Sequence, residues 1–319
     1  MKKVLKILGL GLATIVVILI VTLVVINSSD IPSYEIETIS FEHESSPEAI
    51  ARGKKLSQML CANCHMDRST RKLTGQRMKD VPTEFGEIFS PNITQDETYG
   101  IGTWTDGEIV YLLRTGIKRD GQYAPPYMAK LPHMSNEDIN AIIAFLRSDD
   151  QMVQAENKAD IPPKPSLLTK ILCKVAFKPF PMPEKSIPPP DTTNTVELGK
   201  YLAHNLDCYS CHSADFKSNN YLDPPQSIGY FAGGNPTLDM EGRVKITPNL
   251  TPDQETGIGS WSKEKFIKAV RFGQKEGEQA LTYPMMPYIQ LTEYEVGAIY
   301  DYLQTIPAIE NKVVRSIYN

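Results

Sequence analysis

Three features are scarce in this sequence: alternating strand patterns, basic charge and cysteine. The lack of runs in which apolar and polar residues alternate argues against an extended β-sheet and favours a mainly α fold. Basic residues number 33 against 38 acidic ones. Without Lys2, Lys3 and Lys6 the counts are 30 and 38, a formal charge of −8 that argues against a nucleic-acid partner. Four of the five cysteines fall in two short motifs.

A long apolar run follows the three lysines at the N-terminus. The 20 residues Ile7–Ile26 are uncharged and mostly apolar, and a helix of that length spans about 30 Å, the thickness of a bilayer core. The lysines place the N-terminus in the cytoplasm, so the chain after Asn27 is exported. A cleaved signal peptide is the alternative, but the run is longer than its apolar core and lacks an Ala-x-Ala site. We therefore predict an uncleaved transmembrane anchor.

The sequence Cys-x-x-Cys-His occurs twice, at 61–65 and at 208–212. It is the attachment signature of a c-type haem, in which two thiols bind the porphyrin vinyl groups and the imidazole binds the iron. A redox disulfide would normally accompany a βαβ pattern, which is absent. A zinc module would need the two pairs much closer together. The motifs therefore predict two haems, held covalently by Cys61, Cys64, Cys208 and Cys211, with His65 and His212 as iron ligands.

The two motifs head two similar halves of the chain. Placing residue n against n+157 aligns 91–146 with 248–303 without a gap, and 16 of these 56 pairs are identical. An internal repeat of this kind means that the same site is built twice. The predicted segments are an anchor (1–28), a polar tether (29–44), a first domain (45–150), a Pro-rich linker (151–190) and a second domain (191–319).

Helix signals recur in both halves. Ser46, followed by Pro47, is predicted to begin a helix that leads into the first motif, and Thr195 to cap its counterpart in the second half. A helix that ends near Gly116 or Gly273 follows each Gly-Ile-Gly-x-Trp sequence. The last helix of each half begins at Ser135 or Thr292 and carries an apolar core stripe with helical spacing, made of Ile139, Ile142, Ile143 and Leu146 in one half and Val296, Ile299, Tyr300 and Leu303 in the other.

The linker between the halves contains many prolines, which predicts an extended segment without helix that packs along the surface. The fifth cysteine, Cys173, lies there among apolar neighbours, and we expect it to be a buried, unreactive thiol.

The second axial ligand decides what a haem can do, because an iron held by His and Met is closed and transfers electrons. The repeat register places Met128 opposite Met285, each in a proline-rich loop seven residues before the cap of the last helix. We expect these two methionines to be the ligands, with Met286 as a competitor for the second site. Met134, directly before a helix cap, is more typical of a packing residue.

Other side chains offer weaker alternatives. His43, His133 and His204 could give bis-His ligation. Trp104 and Trp261 could donate to a haem propionate, and Arg114 and Arg271 could pair with one, although packing and solvation explain these four residues equally well.

With these motifs in place, the chain resembles a membrane-anchored di-haem member of the class I cytochrome c family. It is similar to the cytochrome subunits of periplasmic alcohol, aldehyde and gluconate dehydrogenases. The resemblance covers 45–150 and 190–310 and implies two tandem class I cytochrome c domains with His65, Met128, His212 and Met285 as the iron ligands. Those dehydrogenase subunits usually carry three haem motifs, whereas this chain has two.

The sequence predicts an electron carrier of the cell membrane, with its haem domains on the periplasmic side. It would pass single electrons from a dehydrogenase to an oxidase or another respiratory acceptor, and it contains no sign of its own substrate chemistry. The alternative is a di-haem cytochrome c peroxidase with one open iron, which the paired methionines disfavour. A haem-based sensor would call for a signalling domain that the sequence lacks.

Overall fold

The computed structural model describes residues 2–274 and 280–314. The prediction of a mainly α fold is confirmed, because ten helices make up most of the regular structure in these ranges. They are α1 (Lys2–Ser28), α2 (Pro47–Leu60), α3 (Ala62–His65), α4 (Asp106–Thr115), α5 (Asn136–Leu146), α6 (Leu167–Val175), α7 (Thr195–Asn205), α8 (Cys208–Cys211), α9 (Lys263–Phe272) and α10 (Glu293–Leu303). The outer limits of the first and last predicted segments, Met1 and 315–319, lie outside the described residues.

Strand structure is limited to two short antiparallel pairs in the described part of the chain. In the first, β1 (Gly86–Glu87) pairs with β2 (Lys164–Pro165), with Gly86 opposite Pro165. In the second, β3 (Pro236–Leu238) pairs with β4 (Val244–Ile246), with Thr237 opposite Lys245.

Each half is built on the crossing of its first and last long helices. Helix α2 packs against α5, and α7 packs against α10. The contact is very close at one glycine in each pair: a Cβ on Gly53 would lie 1.8 Å from the Ala141 carbonyl oxygen, and one on Gly199 would lie 1.9 Å from that of Ala298. No other residue type allows the backbones to approach this closely.

The helix ends follow the predicted signals with one exception. Ser46 caps α2 by accepting a bond from the Ala49 amide, and Gly116 and Gly273 end α4 and α9 in the left-handed conformation. The prediction of Thr195 as a cap is wrong. Asn194 caps α7, because its side chain accepts bonds from two amides of the first turn and leaves Thr195 as the first helical residue.

The predicted core stripes of α5 and α10 are buried, apart from Tyr300, which is half-buried and donates its hydroxyl to the Trp261 carbonyl over 2.6 Å. The apolar core is continuous through both halves, so residues of α2 and α5 belong to the same cluster as residues of α7 and α10.

Polar contacts also join the halves. Lys55 on α2 reaches Glu295 on α10 at 2.5 Å. The Tyr201 hydroxyl on α7 donates to the Asp138 carboxylate on α5 over 2.6 Å. Asp138, which is 1% exposed, also accepts two bonds from Arg52. A buried carboxylate needs such partners, so the interface between the halves is specific.

The prediction that the linker contains no helix is wrong. Its prolines leave an interval free between Pro165 and Pro179, and α6 forms within it. Ser166 caps this helix by accepting a bond from the Thr169 amide. Cys173 on α6 is 0% exposed, which confirms its predicted burial.

The segment predicted as a polar tether packs onto the first half. The Tyr34 amide donates to the Gly121 carbonyl over 2.8 Å, and the Tyr123 amide donates to the Pro32 carbonyl over 2.9 Å. Farther along, His43 pairs with Asp106 on α4 at 2.6 Å. Residues 29–44 therefore connect α1 to the first half by fixed contacts.

Helix α1 is 27 residues long, and none of its residues is buried. It is long and apolar enough to cross a membrane.

We expect alanine at either crossing glycine to destabilise the protein by about 1–3 kcal/mol, because the new Cβ would overlap a backbone carbonyl. Gly199→Ala in the mature protein, unfolded with denaturant and followed by helical circular dichroism, tests this. Gly297→Ala is the matched control in the partner helix: its Cβ would meet its nearest neighbour at 3.4 Å, an ordinary contact. Equal midpoints for the two variants would contradict the role of the crossing.

Candidate haem-binding sites

Each Cys-x-x-Cys-His motif occupies a single helical turn. The first motif starts at the end of α2 and continues through α3, and the second starts with α8. On such a turn the two thiols, three residues apart, share a face. The four motif cysteines are partly exposed and form no disulfide among the described residues.

Burial of the thiol groups raises their pKa, to about 11 for Cys61 and to about 12 for Cys64, Cys208 and Cys211. The cysteines are therefore neutral thiols at physiological pH rather than thiolates. No group of three or more potential metal-binding side chains (His, Cys, Asp or Glu) occurs among the described residues. A structural zinc site needs four such ligands, so the arrangement of the described residues counts against one.

The two motif histidines share one hydrogen bond. His65 Nδ1 donates to the Pro91 carbonyl over 2.8 Å, and His212 Nδ1 donates to the Pro248 carbonyl over 3.0 Å. The imidazoles are 8% and 6% exposed, and burial lowers the pKa of both. A neutral imidazole bonded through Nδ1 has its Nε2 lone pair available for a metal, and the carbonyl fixes the plane of the ring.

The Pro-Asn-Ile/Leu-Thr sequences position these two carbonyls. Asn92 Oδ1 accepts from the Thr94 amide over 2.9 Å, and Asn249 Oδ1 accepts from the Thr251 amide over 2.9 Å. Each asparagine also donates its amide to a carbonyl late in its half, at 2.9 Å to Glu156 and at 2.7 Å to Ile309. The motif is therefore a rigid turn that holds the proline carbonyl in place.

The Gly-Ile-Gly sequence closes the same turn. A Cβ on Gly100 or Gly257 would lie 2.2 Å from the carbonyl oxygen of Thr94 or Thr251. The next residue, Ile101 or Ile258, donates its amide to that same carbonyl. The most similar part of the repeat thus forms one continuous support for the histidine.

The candidate methionines differ in exposure. Met128 and Met285 are half-buried, whereas Met286 is 44% exposed. Met134 is fully buried in the core, as its expected packing role requires. Each loop is joined to the preceding helix just after its methionine, because the amide of Leu131 donates to the Leu113 carbonyl and, at the same repeat position, that of Tyr288 donates to the Val270 carbonyl.

Arg114 holds the first methionine loop. Its guanidinium, 2% exposed, donates to the carbonyls of Leu131 and Met134 over 2.7 and 2.6 Å and to the Asn136 side chain over 3.0 Å. Burial lowers its pKa to about 10. Arg114 therefore binds oxygen atoms of residues that follow Met128 in the chain.

Arg271, at the same repeat position, is bonded differently. One terminal nitrogen reaches Glu293 at 3.3 Å, and the guanidinium stacks on the Phe272 ring. Its Nε is buried and has no hydrogen-bond partner among the described residues.

Trp104 and Trp261 are half-buried. Arg119 lies over the Trp104 ring at 5.7 Å, and Lys265 lies over that of Trp261 at 4.4 Å. Donation from either indole to a propionate stays a prediction.

The three remaining histidines have partners within the protein. His43 Nδ1 bonds to Asp106, His133 Nε2 to the Tyr221 carbonyl over 3.0 Å, and His204 Nε2 to the Tyr230 hydroxyl. These contacts explain the three side chains without bis-His ligation.

Two acidic residues beside the motifs were not anticipated from the sequence. Asp80, from the first half, accepts a bond from the Tyr283 hydroxyl, close to Met285. Its charge also contributes to the raised pKa of both Cys64 and Cys211, so Asp80 lies near both motifs. Asp207, directly before the second motif, has a left-handed backbone, and burial raises its pKa to about 7. Only the folded chain reveals these positions, because neither aspartate belongs to the repeat.

The cytochrome c family model matches residues 50–150 and 196–307. The chain is 30% identical over 279 residues to the fructose dehydrogenase cytochrome subunit of Gluconobacter japonicus, covering 82% of this chain and 53% of that protein. It is 29% identical over 235 residues to the quinone alcohol dehydrogenase cytochrome c subunit of Gluconobacter oxydans, a match that covers 70% of this chain and 47% of that protein. It is 28% identical over 264 residues to a diheme cytochrome c-type protein of Cereibacter sphaeroides, a match that covers 78% of this chain and 83% of that protein. The chain thus spans about half the length of these two dehydrogenase subunits and most of the diheme protein.

Asn249→Ala should cost about 1–3 kcal/mol of stability, because it leaves the Thr251 amide without its acceptor and removes one of the two donors to the Ile309 carbonyl. The hydrogen bond that His212 donates to the Pro248 carbonyl should also weaken. If His212 binds a haem iron, we expect the reduction potential of that iron to rise, since the imidazole becomes a weaker electron donor.

Denaturant unfolding and a potentiometric titration of the mature protein measure these two effects. Asn140→Ala is the control, since among the described residues that side chain bonds only to the exposed Glu44 backbone. If both variants match the parent in midpoint and potential, the asparagine turn does not support the histidine.

Proposed function

Because the chain belongs to the cytochrome c family, we propose that it is a membrane-anchored electron carrier with two covalently attached haem c groups. The observation that carries the proposal is the repeated hydrogen bond from His65 and His212 to a proline carbonyl. A histidine with no ligand role would have no need of the same buried support in both halves. When bound, haem c supplies a one-electron iron couple.

We assign each side chain a separate task. The four motif cysteines would hold the porphyrin, and His65 and His212 would bind iron through Nε2. Met128 and Met285 would each supply a second iron ligand, which raises the potential. The half-buried position of Met285, against the 44% exposure of Met286, favours it as the second ligand.

The buried Nε of Arg271, near the second site, is a donor that suits a haem propionate. The Nε of Arg271 is buried and without a partner among the described residues, and a buried unpaired donor is costly. A propionate oxygen would satisfy it. Arg114 has three protein acceptors, so the two halves would hold their propionates differently.

The placement of the two motifs favours transfer between them. Asp80 influences the pKa of a cysteine in each motif, and its bond to Tyr283 joins the first half to the methionine loop of the second. The shared apolar core limits relative motion of the halves and keeps water from their interior. We propose that electrons enter at one centre and leave at the other.

The partners are inferred from chemistry and from the relatives. Two of those relatives are named as cytochrome subunits of dehydrogenases, and we propose a dehydrogenase as donor and a membrane oxidase or other respiratory protein as acceptor. A formal charge of −8 on the exported part suits a basic docking surface.

Helix α1 is the proposed anchor. It has no buried residue, and it begins with Lys2, Lys3 and Lys6, which would stay in the cytoplasm. The two haem domains then lie on the periplasmic side, where c-type haem attachment is completed.

The rival function is a di-haem peroxidase, in which one iron stays open to hydrogen peroxide. Both halves supply a methionine at the same repeat position, and two closed irons suit electron transfer rather than peroxide reduction.

Methionine ligation predicts a specific spectrum. The oxidised protein should show the weak methionine-to-iron charge-transfer band at two-site intensity. Met128→Ala and Met285→Ala should each remove about half of it and lower the potential of one centre, because a strong-field thioether ligand is lost.

Met286→Ala is the matched control, since the substitution is the same and the position is adjacent. It should leave the band unchanged. A halved band in Met286→Ala together with a silent Met285→Ala would reassign the second ligand. Rapid turnover of hydrogen peroxide by the parent protein would favour the peroxidase.

Haem stoichiometry tests the cofactor assignment. We expect a pyridine haemochrome assay to give two haems per chain in the parent protein and one in the double variant Cys208→Ser/Cys211→Ser, because thioether attachment requires both thiols. A single haem in the parent, or two in the variant, would refute the assignment.

A further inference from the structure

We propose that α6 is an interfacial helix that seats the first half of the protein on the membrane, with its apolar side in the lipid and its lysines among anionic headgroups. The proposal rests on the proposed anchor, because it requires α1 to span the bilayer.

The apolar side of α6 is uncovered. Thr169 and Cys173 form the buried side of the helix. Around the opposite side lie Leu168, which is 43% exposed, and Val175, which is 70% exposed, with the half-buried Ile171 and Leu172 between them. These four residues follow the spacing of a single helical stripe. An exposed aliphatic stripe on a fixed helix is costly in water.

The position of α6 beside the proposed membrane anchor indicates that lipid covers this stripe. Helix α6 packs beside α1. Lys170 Nζ donates to the carbonyl of Asn27 over 2.6 Å, one residue beyond the apolar run. Four residues farther on, Ile31 packs in a cluster with Cys173 and Tyr123. The helix therefore lies at the level where the chain leaves the bilayer.

Helix α6 is also attached firmly to the first half. The Ser166 hydroxyl donates to the Glu84 carbonyl over 2.5 Å, and the Thr169 hydroxyl donates to the Phe85 carbonyl over 2.7 Å. Just before the helix, β2 pairs with β1. Seating α6 on the membrane would therefore orient the whole first half.

The charge around α6 matches a lipid surface. Residues 161–183 contain four lysines and no acidic residue, although the exported chain as a whole is acidic. The four are Lys164, Lys170, Lys174 and Lys178. A basic segment beside an apolar stripe is typical of helices that lie in the headgroup region of anionic membranes.

Thiol accessibility in lipid nanodiscs tests the proposal. Leu168→Cys and Val175→Cys are made separately in the full-length mature protein, which is placed in phosphatidylglycerol nanodiscs without any other membrane protein. The rate of labelling by a charged maleimide is then measured. Cys173 is 0% exposed, and the parent protein gives the background rate.

Two matched variants serve as references. Ile228→Cys is an exposed aliphatic position of the second half, at 66%, and Ile15→Cys lies within α1. We expect labelling at 168 and 175 to be roughly tenfold slower than at 228, because lipid excludes the charged reagent. Protection at 168 and 175 should weaken in phosphatidylcholine nanodiscs, where the lysines lose their anionic partners.

The outcomes separate the two proposals. If the cysteines at positions 168 and 175 are labelled as fast as the one at position 228, while the one at position 15 is protected, the interfacial role of α6 is overturned and the anchor stands. The apolar stripe would then be free for a protein partner. Fast labelling at 15 as well would overturn the anchor itself. Equal protection in both lipids would refute the headgroup contacts of the lysines.

Discussion

The hydrogen bond from each motif histidine to a proline carbonyl is the constraint on which the rest of each half depends. It fixes the imidazole plane, while burial lowers the pKa of the ring and favours its neutral form. The carbonyl can stay in place only because an asparagine turn holds it and a close-packed glycine closes that turn. The asparagine reaches in turn to backbone late in its half. The position of a single ring nitrogen is thus determined by contacts distributed over about a hundred residues of sequence.

Much of the architecture of each half could be predicted from the sequence, because the repeat shows the same helix and turn signals twice. Local rules of spacing and capping predict these features. They are the helix caps at Ser135 and Thr292, the glycines that end helices at Gly116 and Gly273, and the core stripes. The proline content of the linker as a whole does not predict α6, because helix formation depends on the length of the proline-free interval. The partners of Arg114 and Asp80 could not be predicted, because they are set by tertiary contacts between separate segments. Asp207 bonds locally to Ser210, but its burial depends on the packing around the second motif.

The two halves are similar without being equivalent. Asn136 beside Arg114 is replaced by Glu293 beside Arg271, so a neutral acceptor becomes a charged one. The second motif also has a buried aspartate before it, whereas Leu60 stands before the first. Charge near a metal centre affects its potential, and the repeat therefore has the means to give two similar sites different driving forces, as directional electron flow requires.

The buried carboxylate of Asp138 has a consequence for biogenesis. Its partners are Arg52, from the same half, and Tyr201, which lies 63 residues farther along the chain. Because the chain is synthesised from its N-terminus, the first half is made before Tyr201, and until then Asp138 lacks one of its hydrogen-bond donors. We expect the packing around the α2–α5 crossing to be completed only when the second half folds against it.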